Sequence, residues 1–323
     1  MRRLSSWRIP VYWAALIAVA IQPRSSRADA NGARKSEFLA KYRPFQERLE
    51  KFYGTLQIEA TARQEDFPSA VDATHKLVFR ATDGRFRVDR VTDRDGHSDQ
   101  LVRVATPARS FGLHSTSRQG AYAVEWISAK SSEAIENMRL TNPLISAPYG
   151  IFEVTIAQFL EMPDLTITSI DDDSASGELL TTVSYERHST DDKRMQQYGW
   201  LTFYPNRCWA FHKYSIGAKD PTGTRLRAVV DYNGERDGIP LLSKAQYWYE
   251  SGAERKRSLV QTFDVSRIAP GAVDESEFTL SAFNLPEVGR QKSYFGWYVV
   301  IVIAIGIVLV LVSSLLKRRN QLQ

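Results

Sequence analysis

The chain has 323 residues, enough for one large domain or two small ones with a substantial core. Its formal net charge is +5, but residues 31–295 contain 34 Lys and Arg against 36 Asp and Glu, so the positive excess lies at the two ends. A near-neutral central region excludes a nucleic-acid-binding surface. The single cysteine, Cys208, excludes both an intramolecular disulfide and a cysteine-based zinc cluster.

The N-terminal segment has the three parts of a secretory signal peptide. Three arginines lie within the first eight residues, an apolar run covers residues 10–21, and Ala28-Asp29-Ala30 offers small side chains to a signal peptidase. A helix of this apolar run would span about 18 Å, which is too short for the ~30 Å core of a bilayer. We therefore expect residues 1–30 to be a signal peptide that is cleaved after Ala30, or after Ala28.

Residues 34–53 are predicted to form a helix. Apolar residues recur there at steps of three and four and line one face: Phe38, Tyr42, Phe45, Leu49 and Phe52. Pro44 is expected to kink this helix or to mark its true start. Gly54 is expected to end it.

From residue 56 the apolar period changes to two, which is typical of strands. Asp83-Gly84 predicts a two-residue hairpin turn that pairs Ala81 with Phe86 and Phe79 with Val88. That register places the apolar residues of both strands on one face. Turn residues bound the further predicted strands, at 99–106, 109–116, 121–128, 164–170, 178–187, 197–204, 208–216, 224–232, 241–250 and 256–268.

Two short helices are predicted to interrupt the strands within residues 131–162. Roughly a dozen strands joined by short turns indicate an antiparallel meander. The predicted fold is therefore mainly β with a few helices (α+β): a strongly curved antiparallel sheet or unclosed β-barrel with helices over one mouth, plus one C-terminal transmembrane helix. The β-rich domain is assigned to residues 31–290.

Residues 297–316 contain no charged side chain and would span about 30 Å as a helix, which predicts a transmembrane segment. Aromatic rings at its outer end suit the headgroup layer, and a basic run at its inner end follows the positive-inside rule. These predicted interface residues are Tyr294, Trp297, Tyr298, Lys317, Arg318 and Arg319. The sequence therefore predicts a single-pass protein of the cell membrane, with residues 31–290 on the extracytoplasmic or periplasmic side and a cytoplasmic tail at 317–323.

Three segments resemble a known family. An early helix leads into a strand such as Gly54-Thr55-Leu56-Gln57-Ile58, and a hairpin follows with an aromatic-Arg pair, here Gly84-Arg85-Phe86-Arg87-Val88. This order is similar to the periplasmic lipoprotein-carrier (LolA-like) fold, which the sensor domains of certain anti-sigma-factor partners also use. The segment 278–286 resembles the closing segments of uncharacterised membrane-anchored proteins of the bacterial envelope. The resemblance covers roughly residues 35–285 and implies an unclosed barrel whose concave face could hold an acyl chain.

No residue pattern indicates a catalytic or metal site. The five histidines form no metal-binding spacing, and His75 and His188 are expected near solvent at strand ends. Asp93–Asp99 resembles part of a calcium loop but lacks its later ligands, so a polar hairpin loop is the better interpretation. Asp171-Asp172-Asp173 is interpreted in the same way. Cys208 is expected to be packed and inert.

Three functions from different classes remain open. The first is a non-enzymatic binding or sensing module, with a hydrophobic or lipid ligand, or a lipoprotein, as its target. The second is a structural or assembly component of an envelope complex, which would use its surface to contact an envelope protein partner. The third is an envelope hydrolase with dispersed site residues. The sequence predicts no cofactor and no catalytic residue.

Overall fold

A computed structural model describes residues 28–66, 73–94, 97–116, 121–129, 131–151, 153–174, 177–188, 196–218, 224–251, 256–271 and 273–287. Residues up to Asp274 form one compact unit, and those from Glu275 onward form a second. Most of the predicted signal peptide and the whole predicted span at 297–316 lie outside the described residues. Within the described ranges, no helix is both long and apolar enough to cross a bilayer.

The first unit contains four helices and fifteen strands among its described residues. The helices are α1 (Ala28–Tyr53), α2 (Ser131–Thr141), α3 (Pro143–Ser146) and α4 (Ile156–Glu161). The strands of the first half are β1 (Leu56–Asp66), β2 (Ala73–Thr82), β3 (Arg85–Arg94), β4 (His97–Ala105), β5 (Ser110–Ser115), β6 (Ala123–Ser128), β7 (Gly150–Ile151) and β8 (Val154–Thr155). Those of the second half are β9 (Leu165–Asp173), β10 (Leu180–His188), β11 (Gln196–Tyr204), β12 (Ala210–Ala218), β13 (Arg225–Arg236), β14 (Ile239–Ser251) and β15 (Lys256–Pro270).

Thirteen of these strands form one curved antiparallel sheet. Its order is β6-β5-β4-β3-β2-β1-β15-β14-β13-β12-β11-β10-β9, so every neighbour is also a neighbour in sequence except at the β1–β15 pair. Strands β6 and β9 are the two edges, and the sheet does not close into a barrel. The predicted mainly β, unclosed antiparallel fold is therefore confirmed.

Turn chemistry sets the registers between neighbouring strands. Asp83 and Gly84 both have positive φ, 45° and 72°, as a two-residue hairpin turn of this kind requires. The pairs Ala81–Phe86 and Phe79–Val88 are those predicted from the sequence. Asn233-Gly234, in contrast, does not end a strand: β13 continues to Arg236, and the two residues form a bulge between the pairs Tyr232–Leu242 and Glu235–Pro240.

Helix α1 packs on the inner face of the sheet through the predicted apolar stripe. Phe38, Tyr42 and Leu49 are buried, and Phe45 and Phe52 are partly buried against the same core. The helix begins at Ala28, so Pro44 lies inside it and does not mark its start. It ends at Tyr53, where the Gly54 N–H donates to the Glu50 carbonyl at 2.9 Å. Ala28 and Ala30, the two predicted cleavage positions, lie in its first turn.

The second unit is described only for residues 275–287. It contains two short 3-10 helices, Glu275–Phe278 and Ser281–Phe283, followed by Asn284 in the left-handed conformation with φ 57°. The Ser281 N–H donates to Glu287 Oε1 at 2.9 Å.

Candidate functional site

The resemblance to the carrier fold implies that the concave, inner face of the sheet could hold an acyl chain, and aromatic side chains occupy that face. The ring of Phe203, on β11, lies 5.2 Å from the Tyr42 ring and 5.6 Å from the Phe38 ring, centroid to centroid. Trp209 and Phe211 contact Phe203 from its other sides. Because α1 supplies two of these rings, and β11, β12 and the turn between them supply the others, helix and sheet are joined by an aromatic core.

The aromatic residues of the neighbouring strands β11, β12 and β14 do not share one face. Phe203, Phe211, Tyr214 and Tyr247 belong to the core or pack against it, as aromatic residues in strands usually do. The alternation along β11 and β14 places Trp200 and Trp248 on the opposite, outer face. The aromatic runs are therefore core on one side and surface on the other.

A small cavity remains on the inner face between β11, β12, β13 and β14. Its volume is about 20 Å³, and it is lined by Gln197, Ile216, Gly217, Ala218, Thr224, Leu226 and Tyr249. A single water molecule occupies a volume of this order, whereas pockets for small organic ligands measure roughly 300–1,000 Å³. In this conformation the cavity has no room for an acyl chain.

A polar network holds the helices together above the core. Glu50 on α1 pairs with Arg139 on α2, and both side chains are about one-fifth exposed. Gln46 donates to Glu50 Oε1 at 2.8 Å and accepts the Ala157 N–H, in the first turn of α4, at 2.9 Å. If the helices moved apart, each charge of this pair would be left without its partner in a poorly solvated position, which costs free energy. The network therefore favours one fixed arrangement of the three helices.

Three tyrosine hydroxyls in this interior have no hydrogen-bond partner among the described residues: those of Tyr42, Tyr149 and Tyr185. Burial raises the pKa of each of these phenols, so all three are neutral at physiological pH. Tyr53 differs from them, since its hydroxyl donates to the Pro240 carbonyl at 2.7 Å and accepts the Leu242 N–H at 2.9 Å. The contacts of Tyr53 fasten the end of α1 to the start of β14.

His75 is buried, not solvent-exposed as the sequence predicts. It is the third residue of β2 and is only 7% exposed, and its Nδ1 shares a hydrogen bond of 2.6 Å with Thr92 Oγ1. Burial, helped by the nearby Arg90 charge and opposed by Asp99, lowers its pKa from 6.5 to about 4. The prediction was wrong because the buried inner face of β2 extends almost to the start of the strand, where His75 alternates with the buried Leu77 and Phe79. His188, at the end of β10, is exposed as predicted.

The low pKa of His75 predicts a loss of stability in acid. The unfolded chain protonates this imidazole near pH 6.5 and the folded chain only near pH 4, so its contribution is present above pH 6.5 and is lost as the pH falls toward 4. We expect His75→Gln to remove about 1–2 kcal/mol of the decrease in unfolding free energy between pH 7 and pH 4.5. Urea denaturation at a series of pH values measures this. His188→Gln is the matched control, and an equal effect of both variants would contradict the assignment to His75.

The remaining candidates for chemistry are structural or lie outside the described residues. Cys208 is buried, and burial raises the pKa of its thiol, which agrees with a packed, inert cysteine. Of the calcium-like loop, Asp99 contacts His114, while residues 95–96 are not described. No group of three or more metal-ligating side chains occurs among the described residues. The predicted membrane-interface residues, from Tyr294 to Arg319, also lie outside them.

The two edges of the sheet differ in how they are protected. The start of β9 is covered by α1, because Lys35 Nζ donates to the Leu165 carbonyl at 3.3 Å. The end of β9 carries Asp171, Asp172 and Asp173. Charged side chains and covering elements are the usual means by which proteins prevent edge strands from pairing with other chains.

In the part of the chain that the structure describes, strand β6 lacks most of this protection, since five of its six residues are exposed. Its only charged residue is Glu125, and Val124, Trp126 and Ile127 are 44%, 39% and 40% exposed. The Trp126 ring rests on Gly112 of β5, where a Cβ atom would lie 2.4 Å from the indole nitrogen. Among the described residues, β6 pairs with β5 alone. The sequence alone does not identify β6 as an edge strand, because a strand's position in the sheet depends on its pairing and not on its own composition.

Comparison with known proteins gives a weak structural similarity and no match in sequence. No protein-family model matches the chain, and no curated protein matches it. The fold is similar to a protein of the DUF1329 family from Desulfovibrio piger, with a TM-score of 0.39 and 11% identity over 76% of this chain and 98% of that one. It is also similar to a domain described as an outer membrane lipoprotein-sorting protein from Vibrio parahaemolyticus, with a TM-score of 0.42 and 10% identity over 78% of this chain and 100% of the other.

A third similar structure is a LolA superfamily protein from Nitrosomonas europaea, with a TM-score of 0.39 and 10% identity over 74% of this chain and 97% of that one. Of the three structures, one is named for the LolA superfamily and another for outer membrane lipoprotein sorting. At these scores the function has to be inferred from the residues of this chain.

Proposed function

We propose that this protein is a non-enzymatic binding module, held at the outer face of a membrane by residues 297–316, and that it binds an extended segment of an envelope protein along β6. The observation that carries the proposal is the unprotected edge of β6. An extended segment added there would form main-chain hydrogen bonds along the outward side of β6 and cover Val124 and Ile127. Affinity would come from main-chain hydrogen bonds, and selectivity from the alternating side chains.

The composition of β6 defines the segment that would fit. Glu125 favours a basic residue opposite it, because opposite charges across an antiparallel pair stabilise the pair. Val124 and Ile127 favour apolar residues on the same face. The partner segment is therefore expected to be extended, apolar at alternate positions, and to carry one Lys or Arg.

The packing of the inner face supports surface binding over a buried lipid. An acyl chain could enter only if α1 moved away from the sheet, since the Phe38 and Tyr42 rings occupy the inner face. That movement would also break the Tyr53 hydrogen bonds to β14 and the Glu50–Arg139 pair. A surface partner requires none of these changes.

Site-specific photo-crosslinking in intact membranes tests the proposal. A photoreactive amino acid at position 127 of the full chain should give one discrete adduct, and mass spectrometry should place the crosslink in an extended segment of another protein. Adding Val124→Lys should abolish the adduct, because a lysine on an edge strand opposes pairing. The matched control is the same photoreactive residue at position 170, since Ile170 on β9 is 39% exposed and its edge is protected.

Three outcomes would count against the proposal. Equal crosslinking from positions 127 and 170 would mean that contact is nonspecific, and an adduct that survives Val124→Lys would mean that strand pairing is not involved. An adduct with twice the mass of the chain would mean that β6 binds a second copy of this protein and not a segment of another envelope protein. If a chain that ends at residue 296 still resists extraction of the membranes with alkaline carbonate, the proposed anchor is wrong, whatever β6 binds.

A further inference from the structure

The outer face of the second half of the sheet, opposite the helices, carries a group of cations placed over aromatic rings. Lys213 Nζ lies 5.8 Å from the centroid of the Trp200 ring. The Arg225 guanidinium lies 5.6 Å from the Tyr198 ring and donates to its hydroxyl at 2.9 Å. These distances are within the range of favourable cation–π contacts.

A second pair of cations continues the group on β13 and β15. Arg257 lies 4.9 Å from the Trp248 ring, and Arg227 pairs with Glu250 at 3.0 Å. Trp248 donates its indole N–H to the other oxygen of Glu250, also at 3.0 Å. Glu250 is therefore the one acidic residue of the group, and it is only 8% exposed.

The strand registers place all these residues on the same face. Trp200 is opposite Ser215, Ser215 is opposite Arg227, and Arg227 is opposite Trp248. Two residues along β12 from Ser215, and therefore on the same face, Gly217 is opposite both Tyr198 and Arg225. We call this surface, which crosses β11 to β15, the outer-face patch. Five strands at about 4.8 Å spacing make it roughly 19 Å wide.

The charge of the outer-face patch is strongly positive. Among the residues that define the patch, four cations stand against the single carboxylate of Glu250, which is already paired with Arg227. Farther along the same face, the carboxylates Asp231 and Asp264 both lie opposite Lys244. The described partners of the other three cations, Lys213, Arg225 and Arg257, are rings and a hydroxyl. Acidic residues flank the patch at its two sides, Glu186 on β10 and Glu65 on β1. The patch is thus a bounded positive surface in a domain that is near neutral as a whole.

The shape and composition of the patch favour a membrane surface as its ligand. A sheet face has no concavity to enclose a small anion, but it can lie against a layer of phosphate groups. Tryptophan and tyrosine combine an apolar ring with a polar tip, and Lys and Arg keep their charge in water above an apolar stem, which suits both to the headgroup region. Each such cation near an anionic leaflet adds to the attraction.

The length of the chain beyond the described residues keeps the domain close enough for this contact. The last described residue is Glu287, and the predicted span begins at Trp297. The nine residues between them can extend to at most about 32 Å. The predicted span would thus keep the end of the described chain, Glu287 of the second unit, within reach of the headgroup layer.

We propose that the outer-face patch binds the anionic headgroups of the membrane in which the protein is anchored. This inference rests on the proposed membrane anchor but not on partner binding at β6. Contact of the patch with the bilayer would fix which face of the sheet points away from the membrane. The domain would then have one preferred orientation on the membrane rather than free rotation on its tether.

Fluorescence quenching with the full chain reconstituted in vesicles tests this inference. A bimane label at Gln246→Cys, two residues from Trp248 and on the same outer face, is exposed to lipids that carry a spin label on the headgroup. Quenching should be at least threefold greater in phosphatidylcholine vesicles with about 30% phosphatidylglycerol than in phosphatidylcholine alone. About 0.5 M salt should remove the difference, because screening at that ionic strength acts within a few ångströms.

Two charge-matched variants separate the patch from the net charge of the protein. Lys213→Gln, Arg225→Gln and Arg257→Gln together should abolish the extra quenching. The control removes three exposed cations of α1 by the changes Arg34→Gln, Lys41→Gln and Lys51→Gln, and should retain it. Equal loss in both triple variants would overturn the proposal.

Further outcomes would also overturn it and can be told apart. If quenching is the same in both vesicle types while the protein resists carbonate extraction, the anchor holds and the patch proposal fails. If the protein is extracted, the proposed anchor itself has failed. If inorganic phosphate binds the reconstituted chain with the same dependence on Arg225 and Arg257, the patch is a small-anion site and not a membrane contact.

Discussion

Replacing Phe203 by Ala should lower the free energy of unfolding by about 4 kcal/mol. Phe203 is fully buried, and its ring contacts those of Phe38, Tyr42, Trp209 and Phe211 at centroid distances between 5.2 and 6.3 Å. The truncation removes the transfer free energy of the ring and leaves a cavity that the surrounding rings, held by both helix and sheet, cannot collapse to fill. Urea denaturation of the full chain in detergent, compared at equal m-values, measures the change.

Trp126→Ala is the control for this prediction. Trp126 is larger than Phe203 but is 39% exposed on β6, so its loss should cost less than about 1 kcal/mol. A small effect at Phe203 would show that α1 does not pack on the sheet in solution. The inner face would then be open, and an acyl-chain ligand would become the better hypothesis.

Replacing Tyr53 by Phe should cost about 2–3 kcal/mol, although it removes a single oxygen atom. The hydroxyl both donates to the Pro240 carbonyl and accepts the Leu242 N–H, and all three groups are buried. Without it, two backbone groups at the start of β14 lose their partners and keep their desolvation penalty. Thermal and urea unfolding of the variant measure the loss.

Tyr42→Phe provides a control of identical chemistry. The Tyr42 hydroxyl is also fully buried but has no partner among the described residues, so its removal should leave the unfolding free energy unchanged or raise it slightly. Equal costs at positions 42 and 53 would mean that the contacts of Tyr53 add nothing beyond burial. The difference between the two variants, not either value alone, is the tested quantity.

Local features of the fold could be predicted from the sequence because they depend on residues that are close in the chain. Asp83-Gly84 fixes the β2–β3 register through its own backbone angles, and the stripe of α1 follows from helical periodicity. Asn233-Gly234 has the same kind of composition but forms a bulge in β13. The true turn there is Asp237-Gly238, with φ values of 54° and 68°. Two adjacent turn signals cannot both end the strand, and only the pairing partner decides between them.

Features that depend on distant residues could not be predicted in this way. The β1–β15 pair joins Leu56 to Pro270, and nothing in either segment identifies the other. The burial of His75 and the exposure of β6 both follow from where these strands lie in the sheet. The outer-face patch likewise combines residues of five strands, whose charges are dispersed along the sequence and become a cluster only through the registers.

The β1–β15 pair has a consequence for the order in which the molecule is built. A chain synthesised from its N-terminus can fold β1 to β6 as soon as they emerge, since each pairs with its neighbour in sequence. Strand β1 is eleven residues long, and its second partner is β15. That side of β1 can therefore pair only after almost the entire remainder of the domain has been synthesised. Closing so large a loop is slow, and the half-finished sheet meanwhile presents an edge on which a second nascent chain could pair. Quality control during synthesis should therefore act most strongly between the completion of β6 and the arrival of β15.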